Sequence, residues 1–260
     1  MSIKYFLASL YTEGLKIIKS KVIWIIAAAF SIAPLMAGFF MFVLKDPELA
    51  KSSGLVGAQA QIAGEANWQS YMELHAQMIA VGGIFVFGFV TSWIFGREYA
   101  DNTVKDLLTL PYSRSVIVIS KFLASFITNM VLSVYIVVFG FIIGWIVGLP
   151  QWSTAIVIES LYIILFVTIL TIILSTPVAF FASYSRGYLA PLGFVIITLI
   201  LSQIVAAVGH GEYFPWAVPT LYSGLTGENI ISWSSLIIIF ITSLLGLLST
   251  LYWWLFADQH

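Results

Sequence analysis

The chain has 260 residues, of which 60% are hydrophobic and only 9% charged, with a net charge of −1 and no cysteine. Soluble domains carry about 25% charged residues, so most of this surface must face something other than water. Disulfides and thiolate metal sites are excluded, no global field points to nucleic acid, and the apolar runs exceed the ~10-residue alternating strands of membrane barrels, which leaves an all-α integral membrane protein.

Residues 2–21 read as an amphipathic helix. On a helical wheel Ile3, Phe6, Leu7, Leu10, Gly14, Ile17 and Ile18 share one arc, while Thr12, Glu13, Lys16, Lys19 and Ser20 lie opposite. Such a helix lies in the membrane interface. Charges throughout Met1–Lys21, and the length of the apolar stretch after it, argue against a cleavable signal peptide.

The first span is expected at 22–44, interrupted by Pro34, and a polar stretch follows to Leu74. The second span is 75–95, and the charged segment Gly96–Lys121 comes next. The third is 119–149, closed by Pro150-Gln151-Trp152. The fourth is 154–182, with Pro177 as an expected kink. A short turn with Arg186 leads to the fifth span, 189–208. Residues 209–232 hold Pro215, Pro219 and four glycines but no Lys or Arg, so short re-entrant helices at the outer mouth are expected there. The sixth span is 233–256. The six spans form a single transmembrane domain over 1–260.

Charge orients the spans. With the N-terminus inside, the inner segments hold nine basic residues: Lys4, Lys16, Lys19, Lys21, Arg97, Lys105, Arg114, Lys121 and Arg186. The outer segments hold two, Lys45 and Lys51. The positive-inside rule then places both termini in the cytoplasm.

The longest inner segment carries the chemistry. Thr103 followed by Asp106 is a start resembling a capping box. Val104, Leu107 and Leu108 share one face, Pro111 ends the helix, and Ser113 can cap the next. A short amphipathic helix results, flanked by Arg97, Glu98, Lys105 and Arg114. Its apolar ridge packs either on the membrane or the N-terminal helix, or into a groove of a partner protein.

These residues resemble the loop of ABC-2-type transporter permeases. That family carries an acidic residue after the second helix, a Gly-Thr, a Leu-Leu, a Pro-x-Ser-Arg before the third helix, and then a Lys. The matching residues here are Glu98, Asn102-Thr103, Leu107-Leu108, Pro111-Tyr112-Ser113-Arg114 and Lys121. Asn102 replaces the usual Gly, and Asn tolerates unusual backbone angles nearly as well.

The resemblance implies a type V exporter-like fold in a prokaryotic cell membrane. Two permeases pair there, as copies or paralogues, and separate ATPase subunits bind from the cytoplasm. Residues 98–112 would be the coupling helix, with Glu98, Thr103, Val104, Leu107, Leu108, Pro111 and Arg114 carrying the contact. It implies export of an amphipathic substrate: a peptide antibiotic of the bacitracin or lantibiotic kind, a drug or a lipid-linked molecule. No cofactor is expected in this chain, because ATP and Mg would be bound by the partner ATPase. The chain lacks a Walker A pattern and the common hydrolase and metalloprotease motifs, so a non-catalytic subunit is expected.

Other residues invite functional readings. Gly140, Gly144 and Gly148 repeat at a spacing that lets helices approach closely, either within one subunit or at a dimer interface. Glu159, inside the outer end of the fourth span, lines a pathway, pairs with a polar neighbour or reaches the interface. His75 and His210 are too far apart in the chain to suggest a metal site. Trp68, Trp152, Trp216 and Trp233 fit interfacial anchors. An ion-gradient-driven secondary transporter would need several ionisable mid-span groups and internal repeats, and neither is visible. A non-transporting membrane anchor or assembly factor would dock the loop on something other than a nucleotide-binding protein.

Overall fold

The computed structural model describes residues 3–46, 65–109, 113–225 and 231–257. Pro111 lies outside them. All regular structure among the described residues is helical: α1 (Ile3–Lys19), α2 (Lys21–Lys45), α3 (Trp68–Ala100), α4 (Val104–Leu108), α5 (Arg114–Val147), α6 (Thr154–Ile173), α7 (Thr176–Tyr184), α8 (Leu189–Ala207), α9 (Val218–Tyr222) and α10 (Trp233–Phe256). Two 3-10 turns, Gly211–Tyr213 and Pro215–Ala217, precede α9. Among the described residues, six helices are long and apolar enough to cross a membrane, with α6 and α7 together making the fourth.

α3 is the axis of the bundle. Its most apolar window is 67% buried, against 22–44% for the other spans, and α2, α5, α6, α7 and α8 all pack on it. The 33 residues of α3 make a rod about 50 Å long at ~1.5 Å per residue, against a hydrocarbon layer of about 30 Å. The helix is therefore longer than the apolar layer is thick. The core divides along this rod. In one half Trp68, Tyr71, Met72 and Ile79 pack with Met41, Ile136 and Val167. In the other, Val90, Ile94 and Phe95 pack with Ile17, Ile26, Val118 and Trp254.

Three expectations are corrected. The first concerns Pro34, which does not interrupt the first span: α2 runs unbroken through it. Next, α3 extends beyond 75–95 at both ends and takes in Glu98–Ala100, so the inner helix expected at 98–112 shrinks to Val104–Leu108. The last is the capping box, which does not form, because the Thr103 side chain makes no capping bond.

The fourth span breaks where proline requires it. Pro177 has no N–H for the carbonyl of Ile173, and the Thr176 hydroxyl donates to that carbonyl instead, at 2.9 Å. The same hydroxyl lies 2.9 Å from the Ser243 carbonyl of α10. Gly246 lets α10 approach here, since a Cβ would sit 2.5 Å from the Pro177 nitrogen. Beyond α8, the two 3-10 turns and α9 fold back against α3, α6, α8 and α10, and Val218, Pro219 and Thr220 are buried.

Candidate functional site

At the end of the bundle that carries α1 and α4, five charged side chains form one network, four of them buried and Lys16 half-buried at its edge. Glu13 of α1 is only 2% exposed, and Glu98 of α3 only 3%. Lys121 of α5 is fully buried. Its ammonium donates to Glu98 Oε2 at 2.8 Å, to Glu13 Oε2 at 3.3 Å and to the Ile94 carbonyl at 3.0 Å, which uses all three of its protons. Arg97 Nη2 donates to Glu13 Oε2 at 2.6 Å and its Nε to Glu98 Oε1 at 3.3 Å. The guanidinium also lies over the Trp93 ring, 4.7 Å from its centre. Lys16 donates to Glu98 Oε1 at 2.9 Å and to Glu13 Oε1 at 3.2 Å. Burial works to lower the pKa of Lys16, but the Glu98 and Glu13 carboxylates more than offset it and hold it above the ordinary lysine value.

This arrangement corrects the reading of α1. Glu13 belongs not to a solvated face but to the face that packs on the protein, with Ser9 and Ile17. Ile3, Leu7 and Ile18 of the apolar arc are 57–75% exposed and face away from the core. Buried carboxylates need cationic partners, and Arg97 and Lys121 supply them. Wheel reasoning on α1 alone could not find those partners, which are more than 80 residues distant in sequence. Lys121 did carry a signal, since a cation followed by Phe122-Leu123-Ala124 in an apolar helix demands a counter-ion.

The chain leaves α3 in a Schellman turn. The Thr103 N–H donates to the Glu98 carbonyl at 2.8 Å and the Asn102 N–H to the Tyr99 carbonyl at 3.3 Å. Asn102 stands at the left-handed position, with φ 57°, where Gly and Asn are the favoured residues. α4 follows directly. Val104 is buried, and Leu107 and Leu108 are half-buried against the same core as Ile17 and Trp254. Lys105, Asp106 and Thr109 are exposed. The apolar ridge thus turns toward its own chain, and a polar row faces outward. Arg114, at the start of α5, donates to the carbonyls of Trp254 and Leu255 at 3.2 and 3.4 Å, tying α5 to the last turn of α10. Ser113 caps α5 by accepting from the Val116 N–H.

The remaining candidates lie toward the opposite end. A Cβ at Gly140 would collide with the His75 imidazole, and one at Gly144 would come within 2.6 Å of the Trp68 ring. Both glycines therefore face α3 of the same chain. Gly148 closes α5 with φ 67°. His75 Nδ1 bonds the Tyr71 carbonyl at 2.9 Å, and the Tyr71 hydroxyl donates to the Gly140 carbonyl at 3.0 Å. Glu159 is exposed and lines an open cavity of about 320 Å³ with Gln69, Glu73, Ser160 and Ser223. Gln69 donates to Glu73 there at 3.2 Å.

Residues 9–203, which include the whole network and α4, match the family model described as ABC-2 family transporter protein. The bacitracin transport permease protein of Bacillus licheniformis is 28% identical over 193 residues, covering 74% of this chain and 93% of that protein. No solved structure matches the chain.

Proposed function

The chain belongs to the ABC-2 family of transporter proteins, and from that premise we propose that it couples ATP hydrolysis by a separate cytoplasmic ATPase to export of an amphipathic substrate. It is a multi-pass membrane permease. The observation that carries the coupling is the bond between Thr103, at the start of α4, and the last turn of α3 at Glu98. The Glu98 side chain in turn joins the network that holds α1 and α5. A push on α4 therefore reaches three helices through one residue. Separating the network would strand charges away from water, at a cost of several kcal/mol per ion, so the helices move together rather than part.

In this reading the basic end faces the cytoplasm, which the nine-against-two distribution of Lys and Arg supports. Lys105, Asp106 and Thr109 form the outward face of α4 toward the ATPase, which would hold ATP and Mg. Leu107 and Leu108 support it from below. A second permease, copy or paralogue, completes the pathway. The relative that carries bacitracin in its name supports a peptide antibiotic as the substrate class. The cavity lined by Glu73 and Glu159 then lies on the outer side, where carboxylates suit a cationic or hydrogen-bonding part of such a molecule.

The test is co-reconstitution with a Walker A protein encoded beside this chain. The wild type should bind and stimulate it. Reversing the exposed face with Lys105→Glu and Asp106→Lys should weaken binding by about tenfold, or about 1.4 kcal/mol, with the melting temperature unchanged. Absence of binding by the wild type, or unchanged stimulation by the double variant, would overturn the assignment.

A further inference from the structure

The buried network is unbalanced. It holds three cations, Lys16, Arg97 and Lys121, against two carboxylates, Glu13 and Glu98. Beside it opens a cavity of about 350 Å³, lined by Lys16, Lys19, Arg97, Glu98, Asp101 and Thr103 among others. Lys19 and Asp101 are both exposed at its rim, and the lining as a whole holds three cations, Lys16, Lys19 and Arg97, against two carboxylates, Glu98 and Asp101. A cationic surplus lining an open cavity attracts an anionic group, with the surrounding water and salt screening the attraction. Lys19 has no ion pair among the described residues, and the Lys16 side chain is 35% exposed.

The position of the cavity indicates what answers it. On α1 the wall is formed by Lys16 and Lys19, on the side opposite Ile3, Leu7 and Ile18, the exposed apolar residues that suit lipid. The cavity therefore opens away from the bilayer. Its far wall is Thr103, the residue that begins α4. The mouth therefore lies next to the first turn of α4, close to its outward residues Lys105 and Asp106.

We propose that this cavity is a socket for an acidic side chain, Asp or Glu, of the cytoplasmic ATPase. It forms a second contact beside α4 and engages the ion network directly. The proposal rests on α4 being the docking element for that partner. The inserted carboxylate meets Lys19 at the rim and Lys16 and Arg97 within, and so loads α1 together with α3 and α5.

The experiment uses the full chain in nanodiscs with the ATPase, comparing wild type, Lys19→Glu at the rim, Lys21→Glu as an exposed basic residue outside the cavity, and the double variant of α4. Lys19→Glu is expected to weaken ATPase binding about tenfold and Lys21→Glu less than about twofold. An Asp/Glu→Lys scan of the ATPase surface should yield one variant that restores binding to Lys19→Glu. If Lys19→Glu binds like wild type while the α4 variant fails, the socket is wrong and α4 docking stands. If the α4 variant also binds normally, the docking reading itself fails. Equal losses with Lys19→Glu and Lys21→Glu would mean a diffuse field, not a socket. A loss seen only in anionic lipid would make a headgroup the occupant and overturn the proposal.

Discussion

Lys121 of α5 donates to Glu98 of α3 across 2.8 Å, in a place where neither side chain is more than 3% exposed. The pair joins the two longest helices of the described residues within the core that also holds Ile94, Phe95 and Val118. Removing Glu98 leaves Lys16, Arg97 and Lys121 with Glu13 as the one remaining carboxylate of the network, and breaking a buried ion pair in this way costs about 3–5 kcal/mol. Glu98→Gln should therefore lower the melting temperature in nanodiscs severely. Pairing it with Lys121→Met should recover a substantial part of the loss, because one of the stranded cations is gone. A double variant as unstable as the single one would show that Glu98 matters through packing instead.

The Lys16 ammonium behaves differently from a free lysine. Its pKa lies above 10.5, since the Glu98 and Glu13 carboxylates more than offset the effect of burial. A raised pKa on a cation contributes stability that is fully present below the ordinary value and lost as pH rises through the folded value. The melting temperature difference between wild type and Lys16→Met should thus stay constant from about pH 7 to about pH 9 and narrow only above about pH 10.5. Narrowing already near pH 8 would mean that Lys16 is not held by the two carboxylates.

The spans and the inner loop were legible in the sequence because each rests on local pattern. Twenty apolar residues, a charge asymmetry and the run Asn102-Thr103-Val104 need no knowledge of distant contacts. The network was not legible as a unit. Glu13 sits on the polar arc of α1 by wheel position, and it becomes a core residue only because Arg97 and Lys121 reach it from two other helices. The direction of the α4 ridge is not local either: whether Val104 and Leu107 face a partner or their own chain depends on where α1 and α10 lie. Hydropathy marks where the apolar layer stops, not where a helix does, which is why the sequence pattern gives Glu98–Ala100 to the short inner helix although they continue α3.

Gly140 and Gly144 face His75 and Trp68 of α3. A methyl group added at either position meets a buried ring with little room to yield, and overpacking of this kind costs about 1–3 kcal/mol. Gly140→Ala and Gly144→Ala should each lower the melting temperature, while the oligomeric state in mild detergent stays that of the wild type. A glycine at a contact between copies would show the reverse: an intact fold with a weakened dimer. Cross-linking measured alongside thermal melting separates the two.

Asn102 holds the turn that passes from α3 to α4, at φ 57°. Its N–H and that of Thr103 satisfy carbonyls at the end of α3, so the geometry of the turn fixes where α4 begins. Gly adopts this conformation without penalty, whereas for other L-residues the left-handed region costs about 1–2 kcal/mol. Asn102→Gly should leave stability and ATPase stimulation near wild type. The β-branched Asn102→Val should either destabilise the fold by about that amount or force the turn open. If the turn serves only to end α3, Asn102→Val will lower the melting temperature and leave ATPase stimulation per folded protein unchanged. If it aims α4 at its partner, stimulation will fall further than the loss of folded protein explains. The ratio of the two effects, measured in the same nanodiscs, decides between a helix cap and a coupling hinge.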